Sequence, residues 1–220
     1  MKTKSIFKQS LPILCVEVIL TSVSILIYLW IRSFFILLIC IVFVIFIIAT
    51  IYFFRNPERN IIKGEDLILS PADGKITDIK KSDSLPVSEN RFQRLSIFLS
   101  LWNVHVNRIP VSGRVIYMEH REGSFLPAFL KKSGSKNQQT IIGIDGSIGI
   151  VYIKQIAGLF ARRIVCDLNI GDYVEQGQLF GMIKFGSRID LYLPGSVTLV
   201  VNIGDRVVAG ESIIGRVYNG

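Results

Sequence analysis

Hydrophobic and polar positions follow two different rules along this chain. From Leu11 to Phe54 the only charged residues are Glu17 and Arg32. A bilayer core takes roughly 20 apolar residues per helix, and this stretch is about twice that. Two membrane spans are predicted, near 11–31 and 34–54, with Arg32-Ser33 as the polar turn between them. One long tilted helix or a re-entrant segment is the alternative. The run is too long for a signal peptide, and no small-residue cleavage site follows it. From about Ile61 the texture changes. Short β-rich runs alternate with Gly, Asp and Asn: Leu67–Leu69, Gly74–Ile79, Leu95–Leu99, Gly113–Tyr117 and Gly149–Ile153. Runs of this length and spacing predict a mainly β domain, a compact sandwich or barrel. Helical pattern there is weak, confined to Phe125–Lys132 and a turn over Gly158–Ile164. The expected organisation is a membrane anchor over 1–54 and a β domain over 55–220, which is long enough to bury its own core.

Charge orients the anchor. Lys2, Lys4 and Lys8 precede the first span, and Arg55, Arg59 and Lys63 follow the second. The positive-inside rule places both ends in the cytoplasm, so the β domain is expected on the cytoplasmic side of the cell (inner) membrane. Glu17 is costly in lipid, but its place near the basic end lets it reach the interface. The net charge of +8 fits attraction to an anionic membrane surface. Nucleic acid is not an expected partner, because no recognition-helix pattern or aromatic-interleaved basic run accompanies that charge. The cysteines, Cys15, Cys40 and Cys166, have neither disulfide-framework nor zinc spacing, so no metal is expected.

The last third contains a repeat. Asn169-Ile170-Gly171-Asp172-Tyr173-Val174-Glu175-Gln176-Gly177 matches Asn202-Ile203-Gly204-Asp205-Arg206-Val207-Val208-Ala209-Gly210. Gly-Asp supplies a turn with unusual backbone angles, and the following Val faces a core. The pattern resembles the hairpins of biotinyl and lipoyl domains, which implies a fold more than an activity.

Few side chains after the anchor are suited to acid–base or nucleophilic chemistry. His105 shares one face of an extended segment with Asn103 and Asn107, while Val104 and Val106 point the other way. That describes a pocket wall or a satisfied structural histidine. His120, among Glu119, Arg121 and Glu122, reads as a solvated turn. Asp73 in Ser70-Pro71-Ala72-Asp73-Gly74 reads alone as a turn. Gly186-Ser187 alone is a small turn between apolar strands. An Asp, a His and a Ser on three separated turns satisfy the residue types of a nucleophilic triad, but spacing does not join them.

Four blocks carry a resemblance. They are Phe53-Phe54-Arg55-Asn56-Pro57-Glu58-Arg59, Ser70–Gly74, and Gln155–Cys166 followed by Phe180-Gly181-Met182-Ile183-Lys184-Phe185-Gly186-Ser187-Arg188-Ile189-Asp190-Leu191-Tyr192-Leu193-Pro194. Together they resemble the short form of phosphatidylserine decarboxylase, from about Phe53 to the C-terminus. The resemblance implies a self-processing enzyme whose covalent pyruvoyl cofactor derives from Ser187. Ser187 Oγ attacks the Gly186 carbonyl, an ester replaces the amide, and elimination and hydrolysis leave the pyruvoyl group. The products are a β chain, 1–186, and an α chain, 187–220, that stay associated. The serine amine of phosphatidylserine then forms a Schiff base with the pyruvoyl ketone, which serves as electron sink while CO2 leaves. His105 is implied as proton donor or substrate-positioning group, and Asp73 as support for self-cleavage. A homo-oligomer is compatible with the sequence.

The chain departs from the long-form pattern. Arg108 stands where a second histidine is found, and Phe185-Gly186-Ser187-Arg188 replaces Leu-Gly-Ser-Thr. Arg108 is therefore a candidate for binding the substrate carboxylate or phosphate. Arg162 and Arg163 are further phosphate-binding candidates, or a solvated surface pair. Phe125–Leu130 lines a lipid path or packs in the core. The competing reading is a membrane-anchored carrier modified at Lys184, although Lys184 lacks the usual carrier context of Met-Lys-Met or Asp-Lys-Ala.

Overall fold

The computed structural model describes residues 3–85, 88–124, 133–158, 164–184 and 187–218. The chain forms two compact units, Lys2–Asn56 and Pro57–Gly220. The first consists of two helices, α1 (Thr3–Ile31) and α2 (Phe34–Phe53). Both are long and apolar enough to cross a membrane. Arg32 breaks the helical run with φ +52°. Glu17 has a partner within this unit: Thr50 Oγ1 donates to its Oε1 at 2.8 Å. The structure gives it an interhelical hydrogen bond, which lowers the cost of a polar group among apolar neighbours.

The second unit is mainly β. Its strands are β1 (Leu67–Leu69), β2 (Gly74–Leu85), β3 (Ser88–Leu99), β4 (Val106–Arg108), β5 (Gly113–Arg121), β6 (Gln139–Gly146) and β7 (Gly149–Ile156). They continue as β8 (Ile164–Cys166), β9 (Tyr173–Val174), β10 (Leu179–Ile183), β11 (Ser187–Leu193), β12 (Thr198–Leu199), β13 (Arg206–Val207) and β14 (Ile213–Arg216). A short helix, α3 (Ser133–Lys136), precedes β6. Eight strands form one curled sheet in the order β13-β2-β3-β11-β7-β6-β5-β9. Two three-stranded sheets, β1-β14-β12 and β4-β10-β8, complete the unit.

Alternation decides what each strand buries. On β11, Ile189, Leu191 and Leu193 enter the main core beside Leu95, Ile97 and Leu99 of β3 and Val151 and Ile153 of β7. The intervening Arg188, Asp190 and Tyr192 lie on the opposite face. That face carries a polar network: Arg188 bonds Asp190, which also accepts from Ser96 Oγ at 2.7 Å.

The repeated segments fold alike and dock alike. Gly171 and Gly204 have φ +96° and +106°, and Gly177 and Gly210 have φ +82° and +78°, conformations that disfavour a Cβ. Asp172 and Asp205 each accept from the backbone N–H three residues earlier at 2.8 Å. Gly171 N–H donates to Val115 O, and Gly204 N–H to Ile76 O, both at 2.8 Å. The docking sites also match in sequence: Pro71-Ala72-Asp73-Gly74-Lys75-Ile76 parallels Pro110-Val111-Ser112-Gly113-Arg114-Val115. Reciprocal bonds join these two stretches, Leu69 N–H to Pro110 O at 3.1 Å and Arg108 N–H to Pro71 O at 3.0 Å. The core of the unit therefore has an approximate internal two-fold arrangement.

Two expectations change. His120 lies in β5, not a turn, and its Nδ1 sits 2.9 Å from Thr140 Oγ1. Ile164, expected at the end of a helical turn, opens strand β8, and residues 159–163 of that turn lie outside the described residues. Residues 125–132, including the Phe125–Leu130 stretch, lie outside the described residues.

Candidate active site

Ser187 opens β11, a strand flanked on both sides. Its backbone pairs with Leu99, the last residue of β3, and the next residue, Arg188, pairs with Ile156 of β7. Ser187 shares the parity of Ile189 and Leu191, so its side chain belongs to the core face. It is fully buried, and its Oγ has no hydrogen-bond partner among the described residues. Gly186, immediately before it, lies outside them.

His105 is brought to this region by a fold-back. After Leu99 the chain turns, with Ser100 N–H donating to Asn103 Oδ1 at 2.9 Å. The turn delivers His105 to the start of β4, fully buried. His105 Nδ1 lies 2.9 Å from Asn103 O. A carbonyl only accepts, so Nδ1 carries the proton and, in the neutral ring, Nε2 is the basic nitrogen. The backbone of His105 is also tied to β10: Ile183 N–H donates to His105 O at 3.3 Å, four residues before Ser187. Ser187 and His105 therefore flank one short stretch of chain.

Asp73 has other commitments. Arg59 Nη2 donates to both of its oxygens, at 3.1 and 2.9 Å. Ala209 N–H donates to its Oδ1 at 2.8 Å. Arg59 also reaches Glu211 at 3.3 Å. On the other half of the internal two-fold, Ser112 Oγ accepts from Gln176 N–H at 2.9 Å, just as Asp73 accepts from Ala209. Asp73 thus ties down the second repeat as Ser112 ties down the first. No hydrogen bond links it to His105 or Ser187 among the described residues. Their connection is through the sheet: Lys75 pairs with Phe98, and Phe98 with Arg188, which places Asp73 about two strand spacings, ~10 Å, from the start of β11.

Arg108 joins the Asp73 group. Its Nη1 donates to Gly177 O at 2.9 Å, and its side chain runs across Gly210, where a Cβ would lie 2.8 Å from Arg108 Cδ. It therefore spans both repeats. Burial, followed by the nearby Arg59 charge, lowers its pKa. Alternation along β4 puts Arg108 on the opposite face from Asn107 and His105. Arg162 and Arg163 lie outside the described residues.

Two residues that sequence reasoning did not assign belong beside Ser187. Gln155, on β7, lies opposite Ile189 and so diagonal to Ser187 on the core face. Its Nε2 donates to Asn107 Oδ1 at 2.8 Å, across from the large sheet to β4. Both residues are fully buried. Gly181, paired with Asn107, leaves the space for this bridge: a Cβ there would sit 3.0 Å from Gln155 Nε2 and collide with Val165 O. The remaining atoms of the pair, Asn107 Nδ2 and Gln155 Oε1, have no partner among the described residues. Gln155 stood inside the family block, and Asn107 on the His105 face. Nothing local in the sequence announced their bond across 48 positions.

Burial also acts on Cys166, which pairs with Gly181 and whose thiol is pushed up to about 11. The arrangement offers a buried hydroxyl, an imidazole of fixed tautomer and an amide pair with a donor and an acceptor to spare, in a largely dry interior. That is a setting for acyl chemistry at the backbone of residue 187.

The profile of the family described as phosphatidylserine decarboxylase matches residues 46–215. The phosphatidylserine decarboxylase proenzyme of Chlorobaculum tepidum is 46% identical over 171 residues, covering 78% of this chain and 79% of that protein. The proenzyme of the same description from Chlorobium phaeobacteroides is 48% identical over 171 residues, covering 77% and 80%. That of the Wolbachia of Brugia malayi is 47% identical over 169 residues, covering 74% and 73%.

Proposed function

The chain belongs to the phosphatidylserine decarboxylase family, and on that premise we propose how its own residues carry out the family reaction. It is a carboxy-lyase that converts phosphatidylserine to phosphatidylethanolamine. The observation that carries the residue assignment is the Ser187 hydroxyl, buried and without a partner among the described residues at the start of a central strand. An unsatisfied buried hydroxyl costs about 1–3 kcal/mol, and functional sites are where such groups are kept.

Ser187 Oγ adds to the carbonyl carbon of Gly186. The C–N bond then breaks as the new C–O bond is kept, and the proton lost by Oγ ends on the nitrogen of residue 187. Subsequent elimination and hydrolysis separate a β chain, 1–186, from an α chain, 187–220. The residues present fit a pyruvoyl group at position 187: residue 187 is fully buried, its cross-strand partner Leu99 is a core residue, and the Asn107–Gln155 pair has polar capacity to spare. That group supplies a ketone that joins the substrate amine and takes up the electron pair released with CO2.

His105 holds and returns the proton. Its Nδ1–H is fixed on Asn103 O, so Nε2 receives a proton and delivers it to the carbon that lost CO2. Asp73 supports self-cleavage by anchoring Arg59 and the second repeat beside the strand ends that carry Ser187. Arg108 meets the negative charge of the headgroup, a role supported by its charge and its place beside these ends. Arg162 and Arg163 are the companion candidates for the phosphate. The two repeats, docked in matching fashion on β2 and β5, support a biotinyl/lipoyl-like hairpin arrangement adapted to hold the cleaved chains together. The apolar helical pair anchors the enzyme in the membrane that contains its lipid, with the β domain on the cytoplasmic side of the inner membrane by the distribution of Lys and Arg.

The test is intact mass of the purified protein under denaturing conditions. Two chains divided after Gly186, the smaller with a blocked N-terminus, are expected. An uncleaved chain with a mass added at Lys184 would overturn this reading in favour of a carrier module.

A further inference from the structure

We propose that Asn107, clamped by Gln155, is the hydrogen-bond donor that receives the negative charge formed on the carbonyl oxygen before Ser187 during self-cleavage; this rests on the assignment of Ser187 above. Three observations converge on it. Asn107 and Gln155 are fully buried, and each uses one end of its amide on the other, leaving Asn107 Nδ2 and Gln155 Oε1 without partners among the described residues. Gln155 lies on the same face as Ser187 and diagonal to it across β7 and β11. Gly181 is bare where the bridge passes, so the backbone of β10 is shaped around this bond.

An amide pair that served only to join two sheets has no reason to keep a spare donor and a spare acceptor in a dry place. An acyl shift needs both. When Ser187 Oγ adds to the carbonyl carbon, the carbonyl electron pair moves onto its oxygen, and an N–H aimed at that oxygen stabilises it where water is excluded. The Gln155 bond fixes Asn107 Oδ1, which sets which end of the Asn107 amide is left for the site and polarises its N–H groups. Gln155 Oε1 is the matching acceptor for the proton that ends on the nitrogen of residue 187. No further reactant is required, because the O–C bond formed and the C–N bond broken belong to the same chain.

The experiment follows chain splitting, not turnover. Full-length precursor is made by cell-free synthesis into vesicles of phosphatidylglycerol and phosphatidylethanolamine, and splitting after Gly186 is timed by mass. Asn107→Ala is expected to split about 100-fold more slowly or worse while keeping the wild-type near-UV circular dichroism, its melting temperature lower by only the few degrees that an unpaired Gln155 amide costs. Gln155→Met, which keeps length and removes the clamp, is expected to split about tenfold more slowly, since the donor remains but is no longer held. Neutral hydroxylamine, which cuts an ester but not an amide, is expected to leave Asn107→Ala intact, because the block precedes the ester.

Splitting of Asn107→Ala within threefold of wild type would overturn the proposal. So would rapid cutting of Asn107→Ala by hydroxylamine, which places the block after the shift. If both variants lose the wild-type fold, the pair is a strut and the proposal falls. If the wild-type precursor itself never splits after Gly186, it is the assignment of Ser187 that has failed.

Discussion

Two polar clusters lie beside neighbouring strand ends, and they are completed differently. Around Asp73 both carboxylate oxygens are used, by Arg59 and by the Ala209 N–H, and Arg59 is shared with Glu211. Around Ser187 the hydroxyl, one amide nitrogen and one amide oxygen lack partners among the described residues. The first cluster is a joint, whose groups meet each other. The second is a seat, whose groups are complete only when something else arrives. Burial alone does not separate them, since both are largely shielded from water. The state of their hydrogen bonds does.

The sharpest way to break this contrast is to remove the seat. Ser187→Ala is expected to give one unsplit chain with no decarboxylation, read by intact mass and by CO2 release. Splitting that persists in this variant would place the cut elsewhere. Next is His105→Ala. Its split fraction is expected to lose decarboxylation by about 100-fold or more, assayed as phosphatidylethanolamine formed per split chain. Full turnover would remove His105 from the site.

Asp73→Ser tests the joint. Serine at this place copies Ser112, so the Ala209 N–H keeps an acceptor while Arg59 loses a carboxylate. The expected cost is about 2 kcal/mol of stability, with slower splitting in the folded fraction. A stable variant that splits at the wild-type rate would make Asp73 a joint and nothing more. The smallest expected effect is at Cys166, which is adjacent to the seat without belonging to it. Its thiol, raised by burial from 9.0 to about 11, carries about 100-fold less thiolate at pH 8 than an ordinary cysteine. Iodoacetamide is therefore expected to label it slowly in the folded protein and quickly after unfolding, and Cys166→Ala to leave splitting unchanged. Because the native state holds this proton more tightly, the corresponding stability is present below pH 9 and declines as pH rises towards 11.

What could be read in advance was what the chain decides locally. The helical pair follows from runs of apolar residues long enough for a bilayer, and the hairpin turns from Gly171-Asp172 and Gly204-Asp205, whose conformations need no distant partner. The short runs around Leu95–Leu99 and Gly149–Ile153 signalled strands, though not their extent. β2 and β3 each run to twelve residues, because polar positions such as Asp78, Asp83 and Arg94 pair across the sheet and break the apolar alternation without breaking the strand. The second half of the two-fold, Pro110–Val115, has little signal of its own, because it shares with Pro71–Ile76 only one Pro, one Gly and otherwise residue class. Its equivalence is visible once both are seen receiving a repeat. The Asn107–Gln155 bridge joins separate sheets and has no local signature at all.

The pairing of β11 has a consequence for the order of events. Chain ends are ordinarily found at the surface, where a ribosome's product can fold without threading a terminus inward. Residue 187 is fully buried, with β3 and β7 on either side. A terminus in that location is not one that translation can start from; it has to be made inside a finished structure. On the proposed cut after Gly186, folding therefore comes first and the cut second, and a gene encoding 1–186 and 187–220 as two separate products is expected to yield pieces that do not assemble.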